Sequence, residues 1–153
     1  MMIDARKHVG VVSEPRVVEV ERGFLKFFAK ATGETNPIYF DEEAARAAGH
    51  PDILMPPTYV FSLQLSAPAK VGDLLDPIGG IGVDMRRILH GEQSFTYHRP
   101  IYAGDRIALV TTTTDIYEKK GGALQFVVQE TRCTSSSKGL CVEARQVTVV
   151  RHV

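Results

Sequence analysis

The chain has no charge of one sign to spare: eighteen acidic and eighteen basic residues cancel, and the two signs are mixed along its length. No basic block reaches five residues, which excludes the electrostatic footprint of a nucleic-acid or anionic-lipid binder. Long apolar runs are also missing. None approaches the ~20 residues that a membrane helix needs, so no membrane span is expected. The first residues, MMIDARKHVGVV, lack an apolar core followed by a small-residue cleavage site, so no secretory signal is expected either. Cysteine is scarce. Cys133 and Cys141 are too few and too poorly spaced for a zinc site or a disulfide framework. They flank Ser-Ser-Ser-Lys-Gly and read as reduced thiols of a cytoplasmic protein, with a cross-strand disulfide as the alternative.

What remains is a chain of 153 residues, the length of one domain over 1–153, able to bury roughly 70% of the surface its unfolded form exposes. Its first half reads as helical. From Glu21 to Thr32, Phe24, Leu25, Phe28 and Ala31 fall on one face of a 3.6-residue period, and Gly33 supplies a stop. A second helix is capped by Asp41, carries Glu42 and Glu43 at its positive end, and is terminated by Gly49 and Pro51. A third follows Met55-Pro56-Pro57, with Pro57 in its first turn. In that helix Tyr59, Val60, Phe61, Leu63 and Leu65 are apolar almost all round, so it has to be surrounded by protein.

The second half reads as stranded. Gln93 to Pro100, Asp105 to Tyr117, Ala123 to Cys133 and Leu140 to Arg151 are rich in Val, Thr, Ile, Tyr and Phe. Lys119 to Gly122 and Ser136 to Gly139 read as tight hairpin turns, and Val11 to Val20 can add a further strand. The expected fold class is α+β: an antiparallel sheet wrapped around a central apolar helix. Residues 68 to 92 hold Gly79, Gly80 and Gly82, but their spacing fails the dinucleotide pattern, and they read as turns.

Two segments carry a resemblance. Ala31-x-Gly33-Glu34-x-Asn36-Pro37-Ile38-Tyr39, followed by Asp41, Ala44, Ala45, Gly49 and Pro56-Pro57-Thr58, resembles the MaoC-like (R)-specific hydratase and dehydratase family of hot-dog folds. LHGEQSFTYHRPIYAGDRI, Leu89 to Ile107, resembles its FAS1-like dehydratase branch, which includes the amino-terminal, non-catalytic-type subunits of (3R)-hydroxyacyl-carrier-protein dehydratases. The likeness extends over about residues 8 to 150. It implies a hot-dog fold, a trans-2-enoyl or 3-hydroxyacyl thioester of coenzyme A or carrier protein as substrate, no cofactor and no metal. It also implies a homodimer, or a heterodimer with a catalytic MaoC-like subunit.

That chemistry moves one proton at Cα and another at the β-oxygen, while donors stabilise the enolate developing on the thioester oxygen. Active members of the family use an Asp and a His from G-D-x-N-P-[hydrophobic]-H. Here the Asp position is Glu34, one methylene longer, and the His position is Tyr39, a phenol with an ordinary pKa near ~10 and a poor base at neutral pH. The resemblance places Glu34 and Tyr39 at the catalytic positions, and Asn36, Pro57 and Thr58 against the substrate. A purely structural reading stands beside it: Asn36-Pro37 shapes the loop, Glu34 is solvated and Tyr39 packs. Three functions remain in view. The chain is a hydro-lyase component that needs a partner with an intact Asp/His pair, a self-sufficient homodimeric hydratase using Glu34, or a non-catalytic acyl-thioester binder.

Overall fold

The computed structural model describes residues 2–67 and 81–152. Gly79 and Gly80, read above as turn residues, lie outside them, while Gly82 has φ +65°. A short helix α1 (Ala5–His8) leads to β1 (Arg16–Glu19), α2 (Arg22–Ala31), α3 (Glu42–Ala47) and α4 (Tyr59–Ser66). Four long strands follow: β2 (Ile88–Tyr97), β3 (Arg106–Lys119), β4 (Leu124–Ser135) and β5 (Gly139–Arg151). The strands form one antiparallel sheet in the order β1-β3-β4-β5-β2, so the expected α+β class is what the chain adopts. No helix among the described residues is long and apolar enough to cross a membrane.

The hairpins form where glycine allows them. Lys120, Gly121 and Gly122 all take positive φ between β3 and β4, and Gly139 does so on entry to β5. The helices start and stop as their punctuation requires. The Asp41 carboxylate accepts from Ala44 N at 2.7 Å to cap α3, and Gly49 at φ +88° follows its end.

Alternation along the strands sends one set of side chains to α4. Ile107, Leu109, Cys133, Val142 and Ala144 pack in one cluster with Tyr59, Val60 and Leu63 of α4 and Leu25 of α2. The sheet therefore curls over the helix, but only over part of it. Leu65 stays 65% exposed and Phe61 is half-buried beside the His90 ring, so α4 is covered on one side rather than surrounded. Pro57 does not lie in its first turn: Thr58 is the N-cap, and the helix begins at Tyr59.

Two further expectations shift. The buried face of α2 is Leu25 and Ala29 with half-buried Phe28, which meets Tyr59 edge-on at 5.2 Å; Phe24 and Ala31 point to solvent. The face is rotated toward Ala29, which lies one turn from Leu25, the residue that packs with Tyr59, Val60 and Leu63 of α4. The strand expected over Val11 to Val20 shrinks to β1, with Val12 only bridging Thr112. Cys133 and Cys141 are both buried, free thiols, and burial with the neighbouring Cys141 pushes Cys133 up to about 12.

The strand β2 starts at Ile88, five residues before the expected Gln93, and carries a bulge between His90 and Glu92. Gly91 is the extra residue. A Cβ there would come within 2.9 Å of Val149 Cγ2 and 3.0 Å of the Val147 carbonyl oxygen. The carbonyl belongs to the paired strand and cannot yield as a side chain would. Gly91→Ala should therefore lower stability by about 1–2 kcal/mol in urea unfolding. Gly23→Ala, inside α2 where an added Cβ meets nothing within 4 Å, is the control and should leave stability unchanged or raise it slightly, since Ala suits a helix better than Gly. Equal midpoints for the two variants would show that the bulge relaxes freely.

Candidate active site

The loop that follows α2 builds itself from its own polar groups. Gly33 turns the chain at φ +74°. Glu34 Oε1 then accepts from Thr35 N at 2.8 Å and Asn36 N at 2.9 Å, so the carboxylate ties down the loop backbone. Asn36 caps a short 3-10 turn, Pro37–Tyr39: its Oδ1 accepts from Ile38 N at 3.2 Å, and Pro37 sits at the first position, where no N–H is required. This turn delivers Tyr39, half-buried, to the interior side. Burial first and the Glu34 charge second raise the Tyr39 pKa, so the phenol stays protonated at neutral pH and can offer a hydrogen bond but is a poor proton donor or base.

The loop is held against α4 through one extended segment. Leu54 N donates to the Ile38 carbonyl at 3.2 Å, Met55 N to Ile101 O at 2.9 Å, and Ala103 N to Ile53 O at 3.0 Å. Residues 53–55 thus link the loop, the 101–103 segment and the start of α4. The 100–105 turn is itself braced. Asp105 Oδ2 accepts from Tyr102 N at 2.8 Å and from Lys138 Nζ, which also donates to Pro100 O at 3.1 Å and lies 4.8 Å from the Tyr102 ring centre.

At the start of α4, Pro57 and Thr58 are exposed. Tyr59 N donates to Pro56 O and Phe61 N to Thr58 O, whereas the Thr58 and Val60 N–H groups have no backbone acceptor among the described residues. Free donors at the positive end of a helix are what a developing oxyanion requires. Tyr97, which the sequence did not single out, joins this group from the end of β2. Its hydroxyl donates to the Pro57 carbonyl at 2.7 Å. Its pKa is raised by burial first, then by Cys133 and by Tyr39, although the residue as a whole remains 37% exposed. Glu34, Tyr39, Tyr97 and the Pro57-Thr58 turn therefore gather at one place. The only signal for Tyr97 in the sequence was an aromatic residue just before His98-Arg99-Pro100.

Three of the five histidines are occupied elsewhere. His50 Nδ1 meets the Tyr102 hydroxyl at 3.1 Å, His98 Nε2 meets Glu143 at 2.8 Å, and His152 Nε2 meets Gln125 Oε1 at 2.8 Å. Among the described residues no three of His, Cys, Asp and Glu come together as metal ligands would.

A sheet curled over a short apolar helix, with a Gly-x-x-Asn-Pro loop beside the helix start, is the architecture of the MaoC-like hot-dog dehydratases. Residues 7–143 match the family described as the FAS1-like, dehydratase domain region, and the chain belongs to it. Among curated proteins it is 45% identical over 103 residues to the UPF0336 protein SCO4636 of Streptomyces coelicolor, covering 67% of this chain and 66% of that one. The chain thus spans slightly less than two thirds of that relative's length. Among solved structures, it is similar to the C-terminally truncated HadBC (3R-hydroxyacyl-ACP dehydratase) complex from Mycobacterium tuberculosis, at 27% identity and TM-score 0.73, covering 92% of this chain and 96% of that one. The ChsH1-ChsH2 complex from the same organism matches at 25% identity and TM-score 0.70, covering 92% and 88%.

Proposed function

We propose that this chain is the non-catalytic-type half of an (R)-specific enoyl-thioester hydratase or 3-hydroxyacyl-thioester dehydratase. In this reading it pairs, in the cytoplasm, with a second hot-dog chain that supplies the Asp/His pair. The observation that carries the reading is the Glu34–Tyr39 arrangement. A phenol whose pKa is raised stands where the family has its histidine, and the carboxylate beside it is spent on two backbone N–H groups. Neither group is poised to shuttle a proton at neutral pH. The Thr58 and Val60 N–H groups, without acceptors among the described residues, would still receive the thioester oxygen, with Asn36, Pro57 and Thr58 as the substrate-binding residues. Two observations support a partner. Among the described residues the strand β2 ends the sheet, and the similar HadBC and ChsH1-ChsH2 structures are complexes.

The test is hydration of crotonyl-CoA and a longer trans-2-enoyl-CoA, followed by loss of enoyl-thioester absorbance. The purified chain alone should not turn over, and adding a hot-dog chain with an intact G-D-x-N-P-x-H motif should restore the reaction. Turnover by the chain alone, abolished in Glu34→Gln, would instead establish a self-sufficient site. Tight thioester binding with no turnover beside any such partner would make the chain a binder.

A further inference from the structure

The first turn of α4 skips one bond. Tyr59 N donates to Pro56 O at 2.9 Å and Phe61 N to Thr58 O at 3.3 Å, each reaching three residues back. The step between them would join Val60 N to Pro57 O, and among the described residues that bond is not made. The Pro57 carbonyl accepts instead from the Tyr97 hydroxyl, 2.7 Å away. Val60 is fully buried, so its N–H has no bulk water to turn to in place of that carbonyl. A buried backbone donor without an acceptor is rare and costly. The local bond that would relieve it is forgone, and the group that holds its acceptor is Tyr97.

Tyr97 is well placed to keep that grip. It pairs with Val142 of β5, and Phe95, two residues before it, packs against the cluster on α4, so alternation turns Tyr97 to the same side. Burial first, then Cys133 and Tyr39, raise its pKa, so the phenol stays protonated and keeps donating. The grip reaches beyond the carbonyl it touches. The C=O and N–H of one planar trans peptide point in opposite directions, so whatever fixes the Pro57 carbonyl also fixes the Thr58 N–H. A hydrogen bond to the carbonyl also polarises the peptide and makes its N–H a stronger donor. Thr58 is exposed where Val60 is buried, so the Thr58 N–H is the donor that a ligand reaches first.

Resting on the thioester reading above, we propose that Tyr97 is a positioning residue: its hydroxyl holds the Pro57-Thr58 peptide so that the Thr58 N–H is presented to the thioester oxygen. Without that hydroxyl the Pro57 carbonyl turns to the Val60 N–H, the skipped bond closes, and the Thr58 N–H swings away from the substrate. The first turn of α4 then becomes better satisfied and the site less able to receive the charge that develops on the oxygen.

The experiment uses Tyr97→Phe, which keeps the ring and removes only the hydroxyl. On the chain alone, NMR reads the scalar coupling through a hydrogen bond between Val60 N and the Pro57 carbonyl carbon. It should be absent in the parent and present in the variant. The Tyr59–Pro56 and Phe61–Thr58 couplings should persist in both, which shows that the helix start is still folded. In crotonyl-CoA hydration, with whatever partner the chain requires, kcat should fall about 100-fold, the low end for loss of one oxyanion donor, and KM should stay within about 2-fold. A residue that merely packs would leave the Val60 coupling unmoved. A Val60 coupling already present in the parent overturns the role, and so does a variant in which either the coupling or kcat is unchanged. No hydration by the parent beside its partner overturns the hydro-lyase reading instead, while the coupling, read without substrate, still decides whether Tyr97 holds the peptide.

Discussion

Tyr39→His combined with Glu34→Asp should give the isolated chain hydration of a trans-2-enoyl thioester at least about 100-fold faster than the parent, the low end of what a positioned general acid/base contributes. The parent loop already has the required shape. Gly33 turns it, Asn36 caps it and Pro37 directs it, and an Asp at position 34 keeps a carboxylate beside the Thr35 and Asn36 N–H groups that Glu34 now holds, where an Asx turn can replace that anchor. A His near pKa ~6.5 exchanges protons at neutral pH, whereas the parent phenol is pushed further from that range by burial and by Glu34. Shortening Glu34 withdraws its carboxylate by one methylene, and misplacement on that scale is enough to disable proton transfer. The single variant Tyr39→His should recover only part of the gain. If the double variant folds, binds thioester and still fails to turn over, the missing element is not the proton shuttle but the donors at the start of α4.

Asp105→Ala should cost about 3 kcal/mol, seen as a melting temperature roughly 9 °C lower. Its carboxylate holds Tyr102 N and Lys138 Nζ, and both Asp105 and Lys138 are largely shielded, with side chains 19% and 23% exposed. Removing one partner leaves a shielded ammonium and a backbone donor unsatisfied, which costs more than the pair contributed. Because the 100–105 turn holds residues 53–55, and these hold the Ile38 loop and the start of α4, thioester affinity should fall as well. Lys138→Met should be milder, and the double variant should lose much less than the sum of the two, as expected for groups in contact. Strict additivity would show that the two side chains act independently.

The parts of the molecule legible in the sequence were those governed by local rules. The α3 cap at Asp41, the stops at Gly33 and Gly49, and the glycine turns between β3, β4 and β5 each depend on a few adjacent residues. The start of β2 was hidden for an equally local reason: the bulge at Gly91 breaks the period-two alternation by which a strand is recognised. The face of α2 was misjudged at Phe24 because periodicity alone cannot tell which edge of an apolar stripe a tertiary neighbour will cover. At the site, the Gly33–Tyr39 loop could be read directly, since its shape is written in contiguous residues. Tyr97 could not, because its bond to Pro57 joins segments forty residues apart.

The open edge at β2 has a consequence for supply. Ten residues of strand end the sheet there, and their outward N–H and C=O groups form a template for any compatible strand. In the pairing proposed above, copies made in excess of the partner would find one another through that template, and a chance alignment would compete directly with the proposed pairing. The amount of useful protein is then set by the ratio in which the two chains are synthesised, and by how promptly they meet, rather than by the abundance of this chain alone.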